Sequence, residues 1–245
     1  MKILVCISHV PDTTAKIAFT PDNKEFVSSG VTFIINPYDE IALARAIELA
    51  EPAQGTVTAL HVGDVSTEPT LRKALAIGAH DAVRINATPR DGFFTAKQIA
   101  NYASQHAYDM ILCGRESSDH NGSSVPVMIA ELMEVPSVMF AKKLNLEGGS
   151  ALMEREIEGG KEVISTTLPF VAGVGEGMAE PKIPNMRGIM SARTKPLVVV
   201  EPIEVPQLTK TIRYEKPEAR SSVKMIAAED AASLFTILRE EKKVI

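Results

Sequence analysis

Over roughly the first 135 residues, short apolar runs alternate with stretches of helical periodicity, and this alternation constrains the fold more than anything else in the chain. Residues 2–8 form a near-continuous apolar run, as expected of a strand covered on both faces, and His9-Val10-Pro11-Asp12 reads as a break in any ladder. Residues 17–27 hold Thr20-Pro21-Asp22-Asn23 between short apolar runs, which suggests a hairpin-like excursion. The clearest helix starts at Asn36-Pro37-Tyr38-Asp39-Glu40, with asparagine as N-cap, proline at the first helical position and acidic residues in the first turn. Between Ile41 and Leu49 only Arg45 and Glu48 interrupt the apolar sequence, so this helix is expected to be mostly buried. Further strands are expected at residues 56–62, 81–85 and 108–113, and helices at 67–76, closed by Gly78, and at 93–106. Strand and helix in alternation give a parallel sheet with right-handed crossovers.

Residues 109–134, DMILCGRESSDHNGSSVPVMIAELME, contain the loop most suited to a ligand. The apolar run stops at Gly114, a polar loop follows, and a helical pattern begins near Ser123. In a parallel sheet such a loop lies at the carboxyl end of its strand, where the first-turn amides of the next helix face an anion without partners of their own. Ser117, Ser118, Asp119, Asn121, Ser123 and Ser124 add polar groups, making this a candidate nucleotide phosphate site. The same residues also fit a serine-rich turn with an N-cap. The helix start at Asn36 is open in the same way, either a second anion or adenine contact or a well-capped core helix.

After Pro136 the pattern changes. Residues 137–146, 151–158 and 161–167 are strand-like and joined by Glu147-Gly148-Gly149 and Glu158-Gly159-Gly160, an antiparallel meander that would make the sheet mixed. Residues 168–173 look like another buried strand, 175–185 have no apolar periodicity, 186–193 are a short helix candidate and 197–200 a last buried strand. Prolines at 202, 206 and 217 indicate an extended arm over residues 201–220, and residues 227–242 read as a terminal helix with Leu234, Ile237 and Leu238 on one side. The expected organisation is one α/β domain over residues 1–200, then an arm and helix over 201–245 that clasp a partner subunit.

A net charge of -5 argues against a nucleic-acid binder, which needs a basic stripe. No apolar run approaches the length of a membrane span, and the chain reads as cytoplasmic. Cys6 and Cys113 fall in expected strands without CxxC spacing, so buried free thiols are expected rather than a disulfide or a metal site. GxGxxG, GxxxxGK[ST] and GxSxG are absent, and the histidines make no HExxH or HxH spacing. His120 lies in the candidate loop, where it could touch an anion or simply be solvated. The chain reads as a nucleotide-binding module, not an enzyme with its own catalytic set.

The order and spacing of KILVCISHVPD, NPYDEIALARAIELAE, LRKALAIGAHDAVRI, GRESSD, EREIEGG and LPFVAGVGEGMAEPKIPNMRGIMSARTKPL resemble the beta subunit of electron-transfer flavoprotein over nearly the whole chain. The resemblance implies a Rossmann-like, adenine-nucleotide-hydrolase-like α/β domain that pairs with an FAD-bearing alpha subunit and holds AMP. It implies a nucleotide pocket lined by Cys6, by Asn36, Pro37, Tyr38 and Asp39, by Val62, and by Gly114, Arg115, Ser118, Asp119, Asn121, Gly122, Ser123, Ser124 and Val125. Thr13 and Glu156 would lie near the partner's FAD. Residues 180–195 resemble the family's recognition loop, with Met186 as apolar anchor, Pro184 and Arg187 beside it, and Arg187, Arg193 and Lys195 as a basic collar. The implied function is an electron carrier between acyl-CoA or related dehydrogenases and a quinone oxidoreductase or other acceptor, as in fatty acid oxidation. One departure concerns Ser124-Val125-Pro126, where family members carry Gln-Val-Gly or Gln-Thr-Gly. Proline brings no amide proton, so AMP, a second FAD as in bifurcating relatives, or an empty pocket all remain open. The alternative from another class is a stand-alone nucleotide-binding protein of the universal-stress type, which needs neither the meander nor the arm.

Overall fold

A strand whose successive residues are all buried needs cover on both faces, and the chain supplies the helices in order. The computed structural model describes residues 1–218 and 223–245; positions 219 and 220 of the expected arm lie outside these. β1 (Lys2–Cys6) runs into the short β2 (His9–Pro11), β3 (Phe33–Ile35) leads into α1 (Pro37–Ala50), and β4 (Thr56–Val62), α2 (Glu68–Ile77), β5 (Asp81–Ile85), α3 (Gly92–Ser104), β6 (Met110–Gly114) and α4 (Val125–Met133) follow. The meander is β7 (Ser137–Glu147), β8 (Ser150–Ile157) and β9 (Gly160–Thr167), followed by β10 (Phe170–Val174), α5 (Met186–Ala192), β11 (Leu197–Val200) and, after the arm, α6 (Ala231–Thr236) continued at both ends by further helical turns.

Among the described residues the main sheet has nine strands in the order β11-β5-β4-β1-β6-β10-β7-β8-β9, parallel from β11 to β7 and antiparallel through β8 and β9. β1 sends Ile3 and Val5 to one face, against Leu43 of α1 and Leu71 and Leu75 of α2, and Leu4 and Cys6 to the other, against Ile99 of α3 and Ile129 of α4. Period-two alternation along a fully covered strand is why residues 3–6 read as uninterrupted apolar sequence. From β1 the chain winds outward through β4 and β5, then crosses back to β6 on β1's other side. That reversal opens a crevice at the carboxyl ends of β1 and β6, the place where open α/β sheets hold ligands.

Three local expectations differ from the structure. The expected break at residues 9–12 is instead a short ribbon: His9 pairs with Ile35, Val10 with Ile34 and Pro11 with Phe33. Proline is tolerated there because it ends the strand. β11 is not buried but forms the sheet's outer strand beside β5, with Val198 and Val199 exposed; an apolar run does not by itself say how many faces are covered. Asn36 stands before α1 with Pro37 in the first turn, yet its side chain makes no cap hydrogen bond and is drawn to the loop after β6.

The arm keeps to this chain's own surface at several points. Gln98 of α3 binds both backbone groups of Ile203, and the Tyr214 amide donates to the carbonyl of Asn23 while its ring stacks on Phe19 at 4.8 Å. The expected hairpin excursion is present, closed by a bridge between Phe19 and Phe26.

Candidate functional site

The crevice holds a cavity of about 550 Å³, lined by the ends of β1, β4 and β6, by the loop after β6, by the start of α4, and by Arg90, Asp91, Thr209 and Thr211. Its frame is set from α1. Asp39, buried in the first turn, accepts hydrogen bonds from the Ser8 amide at 2.7 Å and the Gly114 amide at 2.8 Å, so one carboxylate clamps the ends of the two central strands. Burial pushes its pKa up to about 6 against the pull of those amides. Asn36 does the same for the loop: Nδ2 donates to the Glu116 carbonyl at 2.8 Å and Oδ1 accepts from the Ser118 amide at 3.1 Å.

Beyond Ser118 the loop is held by side chains. Ser123 donates to Glu116 Oε2 at 2.9 Å and Arg115 pairs with Glu116 Oε1 at 2.9 Å, and the Ser123 hydrogen bond in particular holds the Glu116 carboxyl below its ordinary pKa. The Arg115 guanidinium lies over the rings of Tyr38, at 5.1 Å, and Phe140, at 5.3 Å. Ser123 and Asn121 adopt left-handed backbone, which turns the chain sharply into α4. The amides of Val125 and Val127 in that first turn have no place in the helix ladder, while Pro126 between them has no proton to offer. Ser124 and the positive helix end thus face the cavity as donors to an anion.

At the other end lie two histidines. His61 is buried, its Nδ1 donates to the Ile7 carbonyl at 2.7 Å, and burial lowers its pKa to about 4, so the ring is neutral with Nε2 as an acceptor. His9 stacks on Phe33 at 4.4 Å, shares a 2.7 Å hydrogen bond between Nδ1 and Thr70 Oγ1, and is likewise lowered by burial. The far wall belongs to the arm. Asp91 Oδ1 caps α3 by accepting from the Phe94 amide at 2.7 Å, and Oδ2 accepts from the amides of Leu208 and Thr209, both at 3.1 Å.

Of the expected pocket residues, Cys6, Asp39, Val62, Gly114, Arg115, Asp119, Gly122, Ser123, Ser124 and Val125 line the cavity. Asn36, Pro37, Tyr38, Ser118 and Asn121 are not among its lining residues; of these, Asn36 supports the wall from behind. Sequence reasoning missed Ser8, His61, Arg90, Asp91, Thr209 and Thr211, which come together only through the fold; the one local signal was Asp91 before Gly92-Phe93-Phe94, an N-cap pattern. Among the described residues no group of three or more histidine, cysteine, aspartate or glutamate side chains is placed to hold a metal ion, and no helix is long and apolar enough to cross a membrane.

Away from the cavity, Thr13 and Glu156 are both exposed, and Glu156 pairs with Lys142 at 2.6 Å. Met186 opens α5 and is 73% exposed, beside Ile183 at 92%; Pro184 is half-buried and Arg187 exposed. Asn185 caps the helix through the Gly188 amide, and Gly188 lets α5 meet α2 so closely that a Cβ there would collide with the Ala76 carbonyl. Lys195 does not join a basic collar. Its ammonium is turned inward onto the carbonyls of Leu75 at 2.9 Å and Ala79 at 2.6 Å, satisfying the end of α2, while Arg72 holds the carbonyls of Ala192 and Lys195.

Comparison with known proteins gives a consistent result. The sequence model of the electron transfer flavoprotein domain family matches residues 24–205. The electron transfer flavoprotein subunit beta of Bacillus subtilis is 35% identical over the full length of both chains. The human subunit of the same name is 30% identical over 94% of each chain. An acryloyl-CoA reductase electron transfer subunit gamma from Anaerotignum propionicum is 33% identical over 82% of this chain and 78% of its own.

Proposed function

This chain belongs to the electron transfer flavoprotein family, as a subunit of the beta type, and from that premise we propose that it is the smaller half of a heterodimeric electron carrier whose FAD is held mainly by an alpha subunit. Electrons would reach that FAD from an acyl-CoA-type dehydrogenase and leave to a quinone oxidoreductase or another acceptor. The FAD supplies the redox chemistry, and this chain supplies a scaffold, a docking surface and a nucleotide site.

The observation that carries the nucleotide part is the cavity itself. Its volume suits a mononucleotide, one end offers α4 amides, Ser124, Arg90 and Arg115 to phosphate, and the other offers the neutral Nε2 of His61 to a base or sugar donor. We read the ligand as AMP, held by the residues that line the cavity. With Pro126 in the first turn, the donors that the start of α4 gives the phosphate are the Val125 amide and the Ser124 hydroxyl, beside Arg90 and Arg115. The exposed pair Ile183 and Met186 is the docking knob for partner dehydrogenases, and methionine suits it because its flexible thioether adapts to differing pockets. Exposed Thr13 and Glu156 are assigned to the side facing the partner's flavin.

Co-expression with an alpha-type subunit tests the reading. The expected product is a yellow heterodimer that releases AMP on denaturation and extraction. A colourless chain that stays single in the presence of that subunit would overturn it, and release of FAD in twofold excess over heterodimer would replace AMP by a second flavin.

A further inference from the structure

Cys6 and Cys113 sit on neighbouring parallel strands, and the register makes them opposite numbers: Leu4 pairs with Ile111 and Val5 with Leu112, so the next step sets Cys6 beside Cys113. Side chains opposite each other in a parallel pair point to the same face, and both cysteines do belong to the apolar cluster under α3 and α4, with Leu4 and Ile111. Adjacent strands lie about 4.8 Å apart, within the Cα separations of about 4.4–6.8 Å that a disulfide spans. Both thiols are free, only 8% and 4% exposed, and both residues line the cavity.

We propose that Cys6 and Cys113 are an oxidisable thiol pair on the cavity floor, converted to an intrachain disulfide by a hydroperoxide that enters through the cavity mouth. Cys6, the more exposed, attacks one peroxide oxygen as its thiolate. The O–O bond breaks, hydroxide leaves and takes up the thiol's proton as water, and Cys6 becomes a sulfenic acid. The sulfur of Cys113 then displaces the sulfenic oxygen, its own proton leaving with that oxygen as a second water. The balance is two thiols and one hydrogen peroxide to one disulfide and two waters. Hydrogen bonding to Cys6, followed by burial, raises the Cys113 pKa, which speaks against Cys113 as the first attacker. The pair is one residue from Gly114 and two from Ser8, the two amides that Asp39 clamps, so a covalent link here acts directly on the cavity frame.

This goes beyond the nucleotide reading and does not need it, and the test separates the two. The purified heterodimer, with bound nucleotide removed by gel filtration, is treated with hydrogen peroxide, alkylated under denaturing conditions and digested without reductant. The expected result is the loss of two hydrogen atoms from the intact mass, a peptide linking Cys6 to Cys113, and full reversal by dithiothreitol. Two alkylatable thiols after treatment, or sulfinic acid on one cysteine without the linked peptide, would overturn the proposal. AMP is the probe of the route: at 100 times its measured Kd only about 1 molecule in 100 has an open cavity, so linking should slow about a hundredfold. Calorimetric AMP binding without any slowing would sink the cavity route. Failure of AMP to bind would remove the nucleotide reading and leave the linked peptide to decide. In Cys113→Ser, peroxide should leave a dimedone-reactive Cys6 and no link; should that variant not fold, the wild-type peptide map decides alone.

Discussion

Asp39 Oδ1 accepts a hydrogen bond from the Gly114 amide at 2.8 Å, joining the first turn of α1 to the end of β6. The approach requires glycine: a Cβ at 114 would stand 2.7 Å from Tyr38 Cβ and 3.0 Å from Asn36 Nδ2, and closer still to Asp39 Oδ1. Gly114→Ala should therefore destabilise the chain by about 2 kcal/mol or more, since Asn36 and Asp39 are buried and held by hydrogen bonds and have no room to yield. Urea unfolding measures it, and a midpoint equal to the parent's would contradict the clamp.

The same carboxylate makes a pH prediction. Its pKa in the folded chain is about 6, against 3.8 for an ordinary aspartate, so between those values the folded state holds a proton that the unfolded state has released. The contribution of this group to stability is full below about pH 4 and is lost as pH rises through 6, by up to about 3 kcal/mol. Asp39→Asn does not titrate, but it sets an amide NH2 against one of the two backbone donors. The stability of the parent relative to Asp39→Asn should fall between pH 4 and 6.5 and then level off; a constant difference would reject the raised pKa.

Asp91 serves the cap of α3 with one oxygen and the arm with the other. Asp91→Ala should cost about 1 kcal/mol through the lost cap. It should also release the arm, so that trypsin cuts faster at Lys210 and Arg213 than in the parent. Equal cutting rates would show that the arm is held by other contacts.

Met186→Ala should leave the melting temperature unchanged, because an exposed side chain contributes little to folding. If the knob docks partner dehydrogenases, reduction of the heterodimer's flavin by its dehydrogenase should slow about tenfold, the effect of a modest interface hot spot. Stopped-flow reduction at several dehydrogenase concentrations checks this, and unchanged rates would remove Met186 from the docking surface.

What local sequence determined was the set of elements. Period-two and 3.6-residue patterns, the proline after Asn36 and the paired glycines of the meander act over a few residues, and the strands and helices expected from them are in place to within a few residues at their ends. The cavity-lining loop was legible for the same reason, since a strand ending at a glycine before a serine-rich helix start has its own local physics.

Only tertiary structure decided how those pieces are used. Asn36, read as a cap, donates to the Glu116 carbonyl and accepts from the Ser118 amide; Lys195, read as a surface charge, satisfies carbonyls at and just past the end of α2; the arm closes the cavity through Asp91; and β11 lies at an edge instead of within the sheet. Each case turns on which distant group arrives to meet a polar side chain or cover an apolar face. A buried amide or ammonium must find partners wherever the fold brings them, and strand order, which sequence periodicity does not encode, fixes which partners those are.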